Sequence, residues 1–175
     1  MFDHLTTMGV VHVGLALAGI VIGLAQFLMA KGTRAHRALG YAYVYGMLLT
    51  DGAALLLYRF TGTFNAFHAG AVVNLVCIVA AMIPVLRNPR PVNWKIRHYR
   101  WIGGSYVGLI AAGMTGQALR MMSFSTRSQV WTASALVAVV VTAIGVVLIG
   151  RYRHLAAANP VPREMPDAAM TADVS

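Results

Sequence analysis

Residues 8–30 read MGVVHVGLALAGIVIGLAQFLMA, a run without a single charged side chain. About 20 apolar residues are enough for an α-helix to cross a hydrocarbon core roughly 30 Å thick. Four more runs of this kind follow, at residues 38–58, 67–86, 101–121 and 130–150. The whole chain is 58% hydrophobic and 11% charged, whereas soluble domains are roughly 25% charged. The sequence therefore predicts an all-α integral membrane protein with five transmembrane helices.

The transmembrane domain is predicted to cover residues 1–154. We expect the first helix to remain in the mature protein, because no basic residue precedes it and it is longer than a signal-peptide core of about 7 to 15 residues. Residues 155–175 are small, polar and proline-containing, a composition typical of a disordered tail. The single Cys77 lies within the third apolar run, which excludes an intramolecular disulfide.

Basic residues are unevenly distributed between the two sides of the predicted membrane. One side has eleven, and they are Lys31, Arg34, Arg37, Arg87, Arg90, Lys95, Arg97, Arg100, Arg151, Arg153 and Arg163. The other side has three, and they are Arg59, Arg120 and Arg127. Cytoplasmic loops of membrane proteins are enriched in Lys and Arg. The pattern therefore predicts a bacterial inner-membrane protein with an external N-terminus and a cytoplasmic tail.

The net charge of +9 is explained by this topology, which argues against a nucleic-acid partner. Each Lys or Arg close to an anionic membrane surface contributes about 1 kcal/mol of attraction. We therefore expect the bilayer, with its anionic headgroups at the cytoplasmic face, to be the partner of the basic residues.

An internal repeat extends over about residues 8–58 and 67–121. Its core is the motif R-x-x-G-x-x-Y-V, which occurs at residues 37–44 and again at residues 100–107. Each unit is predicted to be a helical hairpin, and both hairpins have the same orientation in the membrane. Repeats of this parallel kind are related by an axis along the membrane normal. The prediction is a bundle of four helices formed by two tandem hairpins, with the fifth helix peripheral.

Each hairpin carries two histidines at corresponding positions. His12 and His68 lie near the outer ends of the first and third helices, in the stretches HVG and HAG. His36 and His98 lie at the inner turns, just before the repeated motif. The repeat predicts that the two members of each pair lie at matching depth.

Asp51 is the only acidic residue within the apolar runs. It lies about seven residues, or roughly 10 Å, from the outer end of the second helix. A charge within the membrane costs about 2.5 to 3.5 kcal/mol even on insertion scales, so it is expected to face a partner. The predicted partners are the outer histidines, Arg120 and Gln117. An ion pair that fixes helix register and a functional carboxylate are both compatible with this position.

The stretches HRALGYAY, residues 36–43, and HYRWIGGSYVGLIAAGMTGQALR, residues 98–120, resemble the bacterial membrane protein family catalogued as domain of unknown function 2306. The matching residues of its two motifs are His36, Arg37, Gly40 and Tyr43, and then His98, Ser105 and Tyr106. Two positions depart from the pattern: Gly116 stands where an arginine is expected, and Ile102 where a methionine is expected. The nearest arginine is Arg120. The resemblance implies an integral membrane protein and brings no established reaction.

One function compatible with these residues is binding of haem b or electron transfer, because imidazoles from two helices can ligate one haem iron. The layout is similar, in architecture alone, to the di-haem transmembrane cytochrome b family related to ascorbate-dependent reductases. Arginines beside the inner histidines would pair with haem propionates. The predicted cofactor-binding residues are His12, His68, His36, His98, Arg37 and Arg100.

Two alternatives remain open. In the first, His12, His68 and Asp51 form an N/N/O ligand set for zinc or another divalent transition metal. In the second, the protein is a non-catalytic membrane accessory protein whose basic residues bind lipid phosphates. Catalytic residues are not predicted. A transport pathway would require four or five helices to dimerise, so a homodimer is retained as an expectation.

Overall fold

The computed structural model describes residues 7–57, 62–121 and 126–152. These residues form five α-helices and no strand, which confirms the predicted all-α class. The helices are α1 Thr7–Leu28, α2 Arg34–Leu56, α3 Ala66–Leu86, α4 Trp94–Met121 and α5 Arg127–Arg151. The predicted tail, residues 155–175, lies outside the described residues.

Three of the described helices are long and apolar enough to span a membrane: α1, α3 and the Ser128–Arg151 part of α5. The other two are less apolar for identifiable reasons. The apolar part of α2 contains three tyrosines and Asp51, and α4 begins with a basic segment, residues 94–100. A membrane protein is therefore supported, while the crossing of the membrane by all five helices remains a prediction.

Four helices pack in a ring, in the order α1, α2, α3, α4, and α4 returns to contact α1. In the described part of the chain, the opposite pairs α1–α3 and α2–α4 do not approach closely through their backbones. The fifth helix lies outside the ring, mainly against α4. This arrangement agrees with the predicted bundle and peripheral helix, whereas the repeat symmetry itself remains a prediction.

The centre of the ring is apolar. Tyr43, Val44 and Met47 of α2 meet Ile78 of α3 and Leu109 of α4 in one buried cluster. The outward surface is apolar as well, with side chains such as those of Val21, Val73, Leu136, Val139 and Val147 more than 60% exposed. Soluble monomers rarely expose apolar surface on this scale, which is consistent with contact to lipid.

A glycine allows α1 and α4 to approach closely. A Cβ atom at Gly23 would overlap the ring of Tyr106, and Tyr43 lies next to the same position. The hydroxyl of Tyr106 donates to the Ile20 carbonyl at 3.2 Å, which holds the ring against α1. Gly19 and Gly23, which are four residues apart on α1, are therefore small residues at a helix contact.

Lys31, in the connection between α1 and α2, caps the C-terminus of α1. Its Nζ donates to the carbonyls of Gln26 and Phe27 at 2.8 Å and to that of Met29 at 3.0 Å. The last carbonyls of a helix have no partner within it, and a cation is favourable at this end. Partial burial lowers the pKa of the Lys31 amine from its ordinary value.

Candidate functional site

The two outer histidines have different hydrogen-bonding roles. His12 of α1 is half-buried, and its Nδ1 lies 3.0 Å from the carbonyl oxygen of Thr50 on α2. A carbonyl oxygen can only accept, so Nδ1 carries the hydrogen and Nε2 of the neutral ring has a lone pair. His12 could therefore act as a ligand or acceptor through Nε2.

His68 is used instead to cap the start of α3. It is 1% exposed, and its Nδ1 accepts from the backbone N–H of Asn65 at 3.3 Å. The Asn65 side chain accepts from a backbone N–H of the first turn in return, which completes a reciprocal capping box. Because Nδ1 is the acceptor, Nε2 of the neutral ring carries the hydrogen. A nitrogen in this state is a donor and not a metal ligand.

The structure does not assemble the alternative metal site. Among the residues that it describes, no group of three or more His, Cys, Asp and Glu side chains is placed to hold a metal ion. The predicted set of His12, Asp51 and His68 is thus not gathered into one site. The pairing of His12 with His68 around one iron is also disfavoured, because His68 lacks the lone pair at Nε2.

Asp51 is buried in α2 with 6% of its surface exposed, and its partner is an amide. Asn74 of α3 donates from Nδ2 to Asp51 Oδ2 at 2.8 Å. Of the predicted partners, neither His12 nor His68 hydrogen-bonds Asp51 in the described structure, and Gln117 is exposed on α4. The side chain of Arg120 lies outside the described residues. Sequence reasoning missed Asn74, although an amide in the middle of an apolar helix is an available signal.

The other atom of the Asn74 amide is an orphan. Asn74 is 6% exposed, and its buried Oδ1 has no hydrogen-bond partner in the described chain. It lies on the side of α4, since a Cβ at Gly108 would be 3.7 Å from it. A buried polar atom left without a partner costs about 1 to 3 kcal/mol. Such an atom next to a buried carboxylate is unusual in a well-packed core.

At the opposite end of the bundle, His98 of α4 is held by a backbone carbonyl. Its Nδ1 lies 3.0 Å from the oxygen of Ala81 on α3 and must donate to it. Pro84, which has no N–H to donate within α3, is one turn further along the same helix. The bond fixes the orientation of the ring and leaves the His98 Nε2 lone pair available. Histidines that bind metals are commonly oriented in this way.

His36 is the other histidine of the predicted inner pair. It is half-buried in the first turn of α2, and its Nδ1 is buried without a partner in the described structure. Its charge would interact with those of Lys31 and His98. The neighbouring Arg37 and Arg100 are exposed. Three groups that can carry positive charge, those of Lys31, His36 and His98, therefore interact at this end, and exposed arginines are adjacent to the two histidines in sequence.

A buried hydrogen bond joins α2 to α4 below these histidines. The hydroxyl groups of Tyr43 and Ser105 are 3.1 Å apart, and each residue lies seven positions after its inner histidine. Seven residues of helix correspond to about 10 Å. The bond between Tyr43 and Ser105 therefore lies about two helical turns further into the bundle than the histidines.

Most of the basic residues that the structure describes lie at this inner end, whereas Arg120 and Arg127 lie at the opposite ends of α4 and α5. The described basic residues at the inner end are Lys31, Arg34, Arg37, Arg87, Arg90, Lys95, Arg97, Arg100 and Arg151. Arg90 lies over the Trp94 ring at 4.8 Å from its centre. Within the described ranges the only carboxylate side chain is that of Asp51, which is buried deep in α2. Among the described residues, the inner end therefore has a high positive charge and no carboxylate side chain.

Comparisons of the chain with protein-family models, with curated proteins and with solved structures give no significant match. The resemblance to domain of unknown function 2306 therefore remains a prediction.

Proposed function

We propose that the protein is a multi-pass inner-membrane protein whose basic cytoplasmic end binds anionic phospholipid headgroups. In this proposal all five helices cross the bilayer, with the N-terminus outside. The observation that carries it is the set of nine basic residues at one end of the described bundle, with the chain's one described carboxylate buried elsewhere. The negative charge that compensates these residues therefore comes from outside the described ranges, and anionic headgroups are the source that we propose.

The inner end also has the side chains that suit a membrane interface. Trp94 lies at the start of α4 between Arg90 and Lys95, both of which approach its ring. Aromatic side chains are enriched at the headgroup level, and flanking arginines and lysines reach phosphates from there. Anionic headgroups would therefore contact the basic residues while the apolar helix surfaces remain in the hydrocarbon core.

The test is the thermal stability of the purified full-length protein in neutral detergent. Added phosphatidylglycerol should raise Tm, because a ligand that binds the folded state stabilises it. Phosphatidylcholine and inorganic phosphate should have little effect, which distinguishes an anionic lipid from free phosphate. Native mass spectrometry of the same samples would count the lipids retained.

Two triple variants provide the matched comparison. Replacing Arg37, Arg97 and Arg100 by Gln removes three exposed inner charges, and at about 1 kcal/mol each the affinity should fall by up to about 100-fold. Replacing Arg59, Arg120 and Arg127 by Gln removes the same charge from the other end. Equal losses in the two variants, or no stabilisation by phosphatidylglycerol, would contradict the proposal.

A second candidate function is haem b or transition-metal binding by the inner histidines alone. It is favoured by the available lone pair on His98 Nε2 and by the unpartnered, buried Nδ1 of His36. His36 and His98 would bind the iron, and Arg37 and Arg100 would pair with propionates. A bound haem would supply one-electron redox chemistry. This candidate uses the same end of the bundle, so the two functions compete for the site.

A further inference from the structure

Asp51 and Asn74 form a polar pair in the core of the bundle that neither lipid binding nor the inner histidines use. We propose that this pair is a proton-binding site, in which Asp51 takes up a proton and shares it with Asn74 Oδ1. The ligand is the proton itself, taken from water, and the pair joins α2 to α3.

In the unprotonated pair, Asp51 lacks a countercharge and Asn74 Oδ1 lacks a hydrogen-bond donor among the described residues. The Asp51 carboxylate is buried, and in the described structure its side-chain partner is an uncharged amide. A buried charge without a countercharge is strongly unfavourable. At the same time Asn74 Oδ1 is a buried acceptor without a donor. One hydrogen added to the carboxylate would remove its charge and could be donated to Asn74 Oδ1.

One proton resolves both deficits. A protonated carboxyl group has an O–H donor beside a C=O acceptor, and a primary amide has an acceptor beside two donors. The Nδ2 of Asn74 already donates to Asp51 Oδ2, and its Oδ1 is attached to the same carbon. A rotation of the amide or the carboxyl group would let the new O–H of Asp51 donate to Oδ1. The charge disappears and the orphan acceptor gains a partner, with no other bond broken.

The described ionisable groups on the surrounding helices do not donate a hydrogen bond to the Asp51 side chain. On α1, His12 hydrogen-bonds the Thr50 carbonyl beside Asp51, and on α3 His68 caps the helix start. Tyr43 of α2 bonds Ser105. Cys77, one turn beyond Asn74 on α3, is a free thiol. The sequence of α4 has no ionisable side chain between Tyr106 and Arg120, and the Arg120 side chain is outside the described residues.

Infrared spectroscopy of the full-length protein in lipid nanodiscs tests the proposal directly. At pH 7 the wild type should show the C=O stretch of a protonated carboxyl group, and Asp51→Asn should lack it. Asp167→Asn, which removes a carboxyl group near the C-terminus, should retain the band. Asn74→Leu should shift the band to higher frequency, because the C=O loses its hydrogen bond. A wild type without the band at pH 7 would show an ionised Asp51 and overturn the proposal.

Thermal stability provides a second measurement, because it distinguishes a protonated Asp51 from a charged Asp51 that the fold requires. Asp51→Asn is neutral and can still form two hydrogen bonds with Asn74, so its Tm should stay within about 2 °C of the wild type, whereas Asp51→Leu should lose at least about 4 °C. If Asp51→Asn is as unstable as Asp51→Leu, or does not fold, the charge is required and the proposal fails. In the wild type, the free energy of unfolding should decrease as the pH rises and Asp51 loses its proton. The reason is that the folded state binds this proton more tightly than the unfolded chain does.

Discussion

At the scale of single residues, the hydrogen bond at Nδ1 separates histidines that the sequence presented as equivalent. His12 and His98 donate to backbone carbonyls and keep a lone pair at Nε2, whereas His68 accepts a backbone N–H and does not. The two histidines of the outer pair therefore differ in what they can bind. This difference restricts a shared ligand to the inner pair.

The prediction at this scale is that any bound haem or transition metal depends on the inner histidines. Protein produced with ample haem should lose its Soret band in His98→Leu, because the oriented Nε2 ligand is removed, and should keep it in His68→Leu. The measurement is an optical spectrum with metal analysis of the same sample. His12→Leu serves as a further control at the outer end.

A Soret band that is lost in His68→Leu and retained in His98→Leu would contradict this assignment. Featureless absorption in every variant would leave the inner histidines as part of the anionic headgroup site, together with Lys31 and the neighbouring arginines.

At the scale of the helix, the apolar runs of the sequence predicted where the helices lie, but they did not predict which side chains of neighbouring helices meet. The bounds of α1 and α3 differ from the predicted runs by at most two residues, because long apolar segments define a helix clearly. The pairing of Asp51 with Asn74 was missed, because it depends on how α2 and α3 are rotated against each other. The spacing of polar residues along a single sequence does not determine that rotation. The four-residue spacing of Gly19 and Gly23, in contrast, is visible in the sequence, and it is typical of helices that approach closely.

The prediction at this scale concerns the contact of α1 with α4. Gly23→Ala should destabilise the protein by about 1 to 3 kcal/mol, because the new methyl group would overlap the Tyr106 ring. That ring cannot move freely, since its hydroxyl is bonded to Ile20 and its face packs on Phe27. Thermal unfolding in detergent measures the change.

Gly14→Ala is the matched control on the same helix. Nothing lies within 4 Å of a Cβ atom at Gly14, so this variant should be neutral or gain up to about 1 kcal/mol from helix propensity. A Gly23→Ala protein as stable as Gly14→Ala would show that α1 and α4 are not in close contact there.

At the scale of the whole molecule, charge and apolar surface together predict an orientation in the membrane. Three described helices are apolar enough to span a membrane, and α2 and α4 pack beside two of them, α1 and α3, in the ring. Their alternating direction brings the connections α1–α2 and α3–α4 to the basic end and the connection α2–α3 to the other. The sequence could predict this organisation because it depends on composition and order, which a single chain contains.

The last prediction follows from that organisation and tests the orientation directly. In a Cys77→Ala background, a cysteine at Thr63, in the α2–α3 connection, should react with a membrane-impermeant thiol reagent added to intact cells. A cysteine at Asn88, in the α3–α4 connection, should react only after the membrane is permeabilised, because the positive-inside rule places the basic end in the cytoplasm. Both positions are exposed in the structure, so a difference in labelling reports sidedness rather than burial.

Labelling of Asn88→Cys in intact cells, with Thr63→Cys protected, would show that the protein has the opposite orientation in the membrane. The basic end would then face outward, and the proposed contact with cytoplasmic anionic headgroups would be wrong.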